Sequence, residues 1–176
     1  MDYTEIRHKA TTGDVLGVMG TGFISRVIKF MTKEKFSHVA MLVWHGTGLW
    51  VYEFVEGRGY QCMPASQWME IRADQIIFYG KAPLLVRARP ADVIKSAGSF
   101  RVGRGKTHYG YLSLAKVWLS QIFKKKIHTH FMVCSTFVQH VWSDCGFDYS
   151  KTADPGDIMS ICSAYGELKP VDTKQS

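Results

Sequence analysis

Ser37-His38-Val39-Ala40-Met41-Leu42-Val43-Trp44-His45-Gly46-Thr47-Gly48-Leu49-Trp50-Val51-Tyr52-Glu53-Phe54-Val55 reads as a β-hairpin. Ser37 to Trp44 is apolar at every position except Ser37 and His38, as a strand buried on both faces would be. His45-Gly46-Thr47-Gly48 is a turn signal, and Leu49 to Val55 returns as a second strand rich in β-branched and aromatic residues. If Trp44 stands opposite Leu49, His38 stands opposite Val55 and Ala40 opposite Glu53. His38 and Glu53 are then diagonal neighbours on one face, roughly 7–8 Å apart at the backbone, a gap that the two side chains close. Glu56 has the opposite parity and points away, and a single bulge in the turn would reverse the whole pattern. A lone histidine in a strand is ordinarily a partly buried one bonded to a backbone carbonyl. A carboxylate able to orient the imidazole makes a polar pair the better reading, because buried polar groups need partners.

Farther along, His130-Phe131-Met132-Val133-Cys134-Ser135-Thr136-Phe137-Val138 passes from a short apolar strand into a helix at Cys134. The unpaired N–H groups and positive dipole end of a helix favour thiolate over thiol and can later hold an oxyanion. Cys134 also shares a helical face with Phe137, Val138, Val141 and Cys145, so a small core residue is the competing reading. His128, His130 and Cys134 make an HxHxxxC pattern, which matches no common zinc spacing and has no evident fourth ligand. Gly103-Arg104-Gly105-Lys106 lacks the full phosphate-loop pattern and reads as a turn.

With 176 residues and 46% hydrophobic content, the chain reads as one domain, 1–176, with a polar tail expected to fray from about 170. The formal charge is +7. Seven Lys or Arg and no acid lie between Arg101 and His130, so an anionic surface or polymer is an expected partner of the Arg101–Lys126 stretch. Its Lys124-Lys125-Lys126 run follows a helix expected over Leu112 to Phe123, and plain solvation of a helix C-terminus explains that run equally well. No specific nucleic-acid motif and no transmembrane run of about 18 apolar residues is present. The start of the chain has no apolar signal-peptide core, and four scattered cysteines read as reduced thiols, so a cytoplasmic location is expected.

The remaining pattern gives a strand at Val15 to Met19 after Gly13-Asp14, a helix over Phe23 to Met31 and a helical turn at Gln67 to Glu70. Strands are expected at Gln75 to Tyr79 and Leu84 to Arg89, and helices at Asp92 to Phe100 and Cys134 to Cys145, the last closed by Gly146. Strands and helices without regular βαβ alternation define an α+β class.

Taken in order, Gly13-Asp14, Ile24-Ser25-Arg26-Val27-Ile28, Ser37-His38-Val39-Ala40-Met41, Tyr52-Glu53, Gly105 to Tyr109, Cys134-Ser135-Thr136-Phe137-Val138 and Asp154-Pro155-Gly156-Asp157-Ile158 resemble a known family. It is the circularly permuted branch of the NlpC-type papain-like superfamily, closest to the YiiX/YebB-like proteins, relatives of the lecithin:retinol acyltransferase-like enzymes. The resemblance implies a permuted papain-like fold, with an antiparallel sheet or small barrel packed against the nucleophile helix. It implies Cys134 as nucleophile and His38 as general base, with Glu53 in a third polar position that varies in type across the superfamily. It also implies an oxyanion hydroxyl from Tyr109, with Tyr111 as the alternative, and no cofactor.

The expected function is a thiol hydrolase or acyltransferase working on an amide or acyl bond through Cys134, His38 and Glu53. Peptides, peptidoglycan stem peptides and acyl lipids are the candidate substrates, and a wall-directed enzyme would leave the cell by lysis or in a particle. The alternatives are a non-catalytic binding or structural module on the same fold, and a lipid acyl hydrolase or acyltransferase at an anionic membrane surface.

Overall fold

The computed structural model describes residues 1–20, 35–55, 58–100 and 134–172. Six strands are present among them: β1 Val15–Met19, β2 His38–His45, β3 Gly48–Val55, β4 Gly59–Pro64, β5 Ile76–Gly80 and β6 Leu168–Val171. They form one sheet in the order β4-β3-β2-β1-β5-β6, antiparallel at every pairing. The described helices are α1 Tyr3–Lys9, α2 Ala65–Ile71, α3 Leu84–Arg87, α4 Pro90–Ser99, α5 Cys134–Asp144 and α6 Pro155–Ala164. The α+β class therefore holds. Of the two expected architectures the strands form a sheet, whose outer strands β4 and β6 do not pair with each other.

Helices cover both faces of the sheet, which explains why β2 is apolar at successive positions. Val15, Val39, Met41, Val43, Tyr52 and Phe54 pack with residues of α4, α5 and α6, including Phe137, Val141 and Met159. Leu16, Val18, Ala40, Leu42, Leu49 and Val51 pack with Ile6 of α1 and with Trp68 and Met69 of α2. A Cβ at Gly17 would stand 2.6 Å from the Met159 sulfur, so glycine is what lets α6 lie against β1. Asp154 and Asp157 form a reciprocal cap at the start of α6, at 2.8 and 3.0 Å, with Pro155 in the first turn. The Asp-Pro-Gly-Asp motif thus has a structural use.

Two expectations are corrected. Leu84 to Arg89 is not a strand: a helical turn follows Pro83, whose carbonyl accepts from the Val86 and Arg87 N–H groups. The edge of β5 that such a strand would have needed is taken by β6. The sequence predicts fraying from about 170, yet the chain is still paired at 171 and bonded at 172, the last described residue. Leu168–Val171 pairs with β5, and its end is pinned when the Met1 ammonium donates to the Pro170 carbonyl at 2.9 Å and Asp172 N–H donates to the Met1 carbonyl at 2.7 Å. Pro170 is tolerated because β6 is an edge strand. The helices expected over Phe23 to Met31 and Leu112 to Phe123 lie outside the described residues.

Candidate active site

The sheet registers bring one set of strand termini together. Val18 pairs with His38, Val55 with Gly59 and Met19 with Ile76, so these residues share one end of the sheet. The hairpin has the register read from its turn, with Trp44 opposite Leu49 and Met41 opposite Tyr52. Ser37 fixes the start of β2 at this end. Its N–H donates to the Val18 carbonyl at 2.9 Å, and its hydroxyl accepts from the Gly20 N–H at 3.1 Å. His38 is the first residue of β2, so its ring stands where the sheet stops.

From that position the His38 Nε2–H donates to Glu53 Oε2 at 2.7 Å. Glu53 is 1% exposed. The Nη2 group of Arg72, just beyond α2, donates to both carboxylate oxygens at 3.0 and 3.1 Å, and its guanidinium lies 4.2 Å from the centre of the Trp68 ring. Burial works against a charged Glu53, but the hydrogen bond and charge of His38 and the charge of Arg72 outweigh it and hold this carboxyl below its ordinary range. The Trp68 indole adds to that effect, although its nitrogen makes no hydrogen bond within normal distance and angle.

Cys134 opens α5 and is 4% exposed. Its side chain belongs to the core cluster with Phe137, Val138, Val141 and Cys145, as the helical face requires. It also acts on His38 at the end of the sheet by charge and hydrogen bonding. The core placement read from the helical face therefore holds. Burial disfavours charge on the His38 ring, yet the facing Cys134 thiolate, by charge and hydrogen bond, and then Glu53, push the imidazolium up to about 9. With Nε2 committed to Glu53, Nδ1 is the ring nitrogen left for the thiol.

The other cysteines differ in setting. All four are free thiols; Cys62 is exposed on the edge strand β4. Burial pushes the Cys145 thiol up to about 11 and the Cys162 thiol higher still. A second histidine, His45, bonds and stacks with Tyr52 at the turn end of the hairpin, away from Cys134. Arg72 escaped the sequence reading. The only trace of it is its spacing from Trp68, which suits a helical ring–cation contact but says nothing of Glu53. Tyr109, Tyr111, Glu56, His128, His130, the Gly103–Lys106 turn and the Arg101–Lys126 basic stretch lie outside the described residues.

An α+β sheet with a cysteine, a histidine and a glutamate meeting at one end is the class this structure defines. A search of solved structures finds the metalloprotein yiiX from Escherichia coli O157:H7, at 18% identity and a TM-score of 0.55, covering 93% of this chain and 88% of that one. The fold is thus YiiX-like. No family model and no curated protein matches. The described residues do not suit a metal: they contain no group of three or more His, Cys, Asp or Glu side chains placed to hold one, and Glu53 is already engaged by His38 and Arg72. No helix among the described residues is long and apolar enough to cross a membrane.

Proposed function

We propose that this protein is a permuted papain-like thiol hydrolase or acyltransferase, with Cys134 as nucleophile, His38 as base and Glu53 as the group that orients the imidazole. The observation that carries the reading is the 2.7 Å bond from His38 to the buried Glu53, on a ring whose imidazolium the charge of Cys134 helps push up to about 9. A cysteine paired this way attacks carbonyls near neutral pH without a metal or cofactor.

His38 Nδ1 takes the thiol proton while Nε2–H stays on Glu53. The thiolate adds to the carbonyl carbon of an amide or ester, and the carbonyl oxygen becomes an oxyanion. The Cys134 N–H, at the first described position of α5, is the donor we assign to that oxyanion. Imidazolium then returns the proton to the leaving nitrogen or oxygen as its bond to carbon breaks. Water, or an acceptor alcohol or amine, gives a proton to His38, attacks the thioester and releases the thiol. Peptides, peptidoglycan stem peptides and acyl lipids remain the proposed substrates, and the basic stretch the proposed contact for an anionic surface.

The test is turnover of matched peptide, peptidoglycan-fragment and lipid-ester substrates by the wild type, Cys134→Ala and His38→Ala. Loss in both variants, with folding intact by circular dichroism, is expected. Turnover at the wild-type rate in Cys134→Ala would overturn the proposal.

A further inference from the structure

We propose that Arg72 is a positioning residue for the His38 imidazole: by holding both oxygens of the Glu53 carboxylate, it fixes the acceptor from which the ring takes its orientation. The inference rests on the proposed role of His38 as base and goes beyond it by naming what holds that base in place.

A single hydrogen bond orients a ring poorly. His38 reaches Glu53 through one contact, Nε2 to Oε2 at 2.7 Å, and its side chain is 21% exposed where the sheet ends. Ring and carboxylate could turn about that contact together, because the terminal torsions of both side chains are broad. The Arg72 Nη2 group removes this freedom by donating to Oε1 at 3.0 Å and to Oε2 at 3.1 Å. Among the described residues Arg72 alone bonds Oε1, and Glu53 is 1% exposed, so water offers little substitute. The guanidinium keeps its own proton, and its charge keeps the carboxylate ionised. An ionised carboxylate only accepts, so the ring nitrogen facing it must carry the hydrogen.

Arg72 can serve as an anchor because it is itself anchored. It caps the C-terminus of α2, where its N–H donates to the Met69 carbonyl at 3.1 Å and its carbonyl accepts from the Gln75 N–H at 2.9 Å. Its guanidinium lies 4.2 Å from the centre of the fully buried Trp68 ring, a contact that holds it without using its donors. Ala40 and Val51, each two residues from His38 or Glu53 along its strand, pack with Trp68 and Met69. Strand alternation therefore puts His38 and Glu53 on the sheet face that α2 covers, and the chain leaving α2 carries Arg72 to them. An ion pair that only tied α2 to the sheet would add stability and leave the His38 ring proton unaffected.

The experiment is proton–nitrogen NMR of the His38 Nε2–H at pH 7, with its exchange against water, in the wild type, Arg72→Met and Arg72→Lys, and urea melts alongside. The wild type should show a downfield, slowly exchanging proton on Nε2. Methionine keeps an apolar stem beside Trp68 and removes the donor and the charge. Exchange in Arg72→Met should be at least about tenfold faster, the size set by losing a hydrogen bond between charged groups. One nitrogen makes both contacts to Glu53, so a lysine ammonium can replace it, and Arg72→Lys should stay within about threefold of the wild type. An unprotected ring proton in the wild type, or wild-type exchange in folded Arg72→Met, would overturn the inference even if that variant lost stability. A tenfold rise in folded Arg72→Lys would overturn it too, because the donor is kept. If Arg72→Met does not fold, Arg72→Gln, polar where the guanidinium meets solvent, takes its place with the same two outcomes. None of these readings depends on Cys134. A protein that turns over no acyl donor would sink the thiol chemistry while the ring-proton result stood, so the two failures are distinguishable.

Discussion

Replacing Glu53 with glutamine removes the negative charge beside His38 while keeping an acceptor of the same size, and the effect should appear in the titration of the ring. Nε2–H lies 2.7 Å from the carboxylate. Charges centred about 4 Å apart interact by roughly 4 kcal/mol at an effective dielectric constant of about 20. Part of that is offset, since both groups lose water and the glutamine oxygen can still accept the hydrogen bond. A net loss of one to two pK units, about 1.4–2.7 kcal/mol, is left. His38 should then move from about 9 to roughly 7–8 and not back to 6.5, because Cys134 contributes more than Glu53 to holding the proton. The sign for stability follows. The folded state binds the His38 proton more tightly than the unfolded chain, so this stabilisation is complete below about 6.5 and fades as pH rises through about 9. In Glu53→Gln the fading should begin earlier. Long-range proton–nitrogen NMR of the imidazole over pH 5 to 10 reads the shift directly, and urea melts at pH 6 and 9.5 read its consequence. A His38 midpoint within a few tenths of a unit of the wild type would refute the charge coupling.

His38→Ala should slow Cys134 labelling at pH 6.5 more than Glu53→Gln does, because it deletes both the proton acceptor and the charge partner; iodoacetamide kinetics compare the two. Phe137→Ala should cost about 3–5 kcal/mol in urea unfolding, since the ring is fully buried and meets Phe54, Tyr60 and Phe100. Asp14→Ala should cost about 3 kcal/mol or more by the same assay. Its buried carboxylate accepts from Thr11 N–H and hydroxyl, the Tyr79 hydroxyl and Ala82 N–H at 2.7–3.0 Å, and alanine strands those donors without touching the site.

The hairpin was legible because its turn is regular: strand alternation then carries the register from Trp44 and Leu49 out to His38 and Glu53. α5 was legible from its apolar spacing and from Gly146, which has φ 89° just beyond the helix. Leu168–Val171 was not, because its neighbours Lys169 and Pro170 are polar or strand-averse, and only pairing with β5 and the chain start makes it a strand. Leu84 to Arg89 misled for the opposite reason. Its leucines look like strand residues, yet Leu84 is 68% and Leu85 43% exposed on a turn set by Pro83. Arg72 was beyond reach because its partner, Glu53, is distant in sequence and local patterns carry no such information.

Mass spectrometry of the protein after brief incubation with ester and thioester acyl donors, followed by acid quenching, tests most directly whether Cys134 carries an acyl group. The expected result is a single acyl adduct mapped to Cys134, released by hydroxylamine and absent from Cys134→Ala and His38→Ala. Turnover of a donor with no adduct on Cys134, or with the acyl group on Cys62 instead, would contradict it.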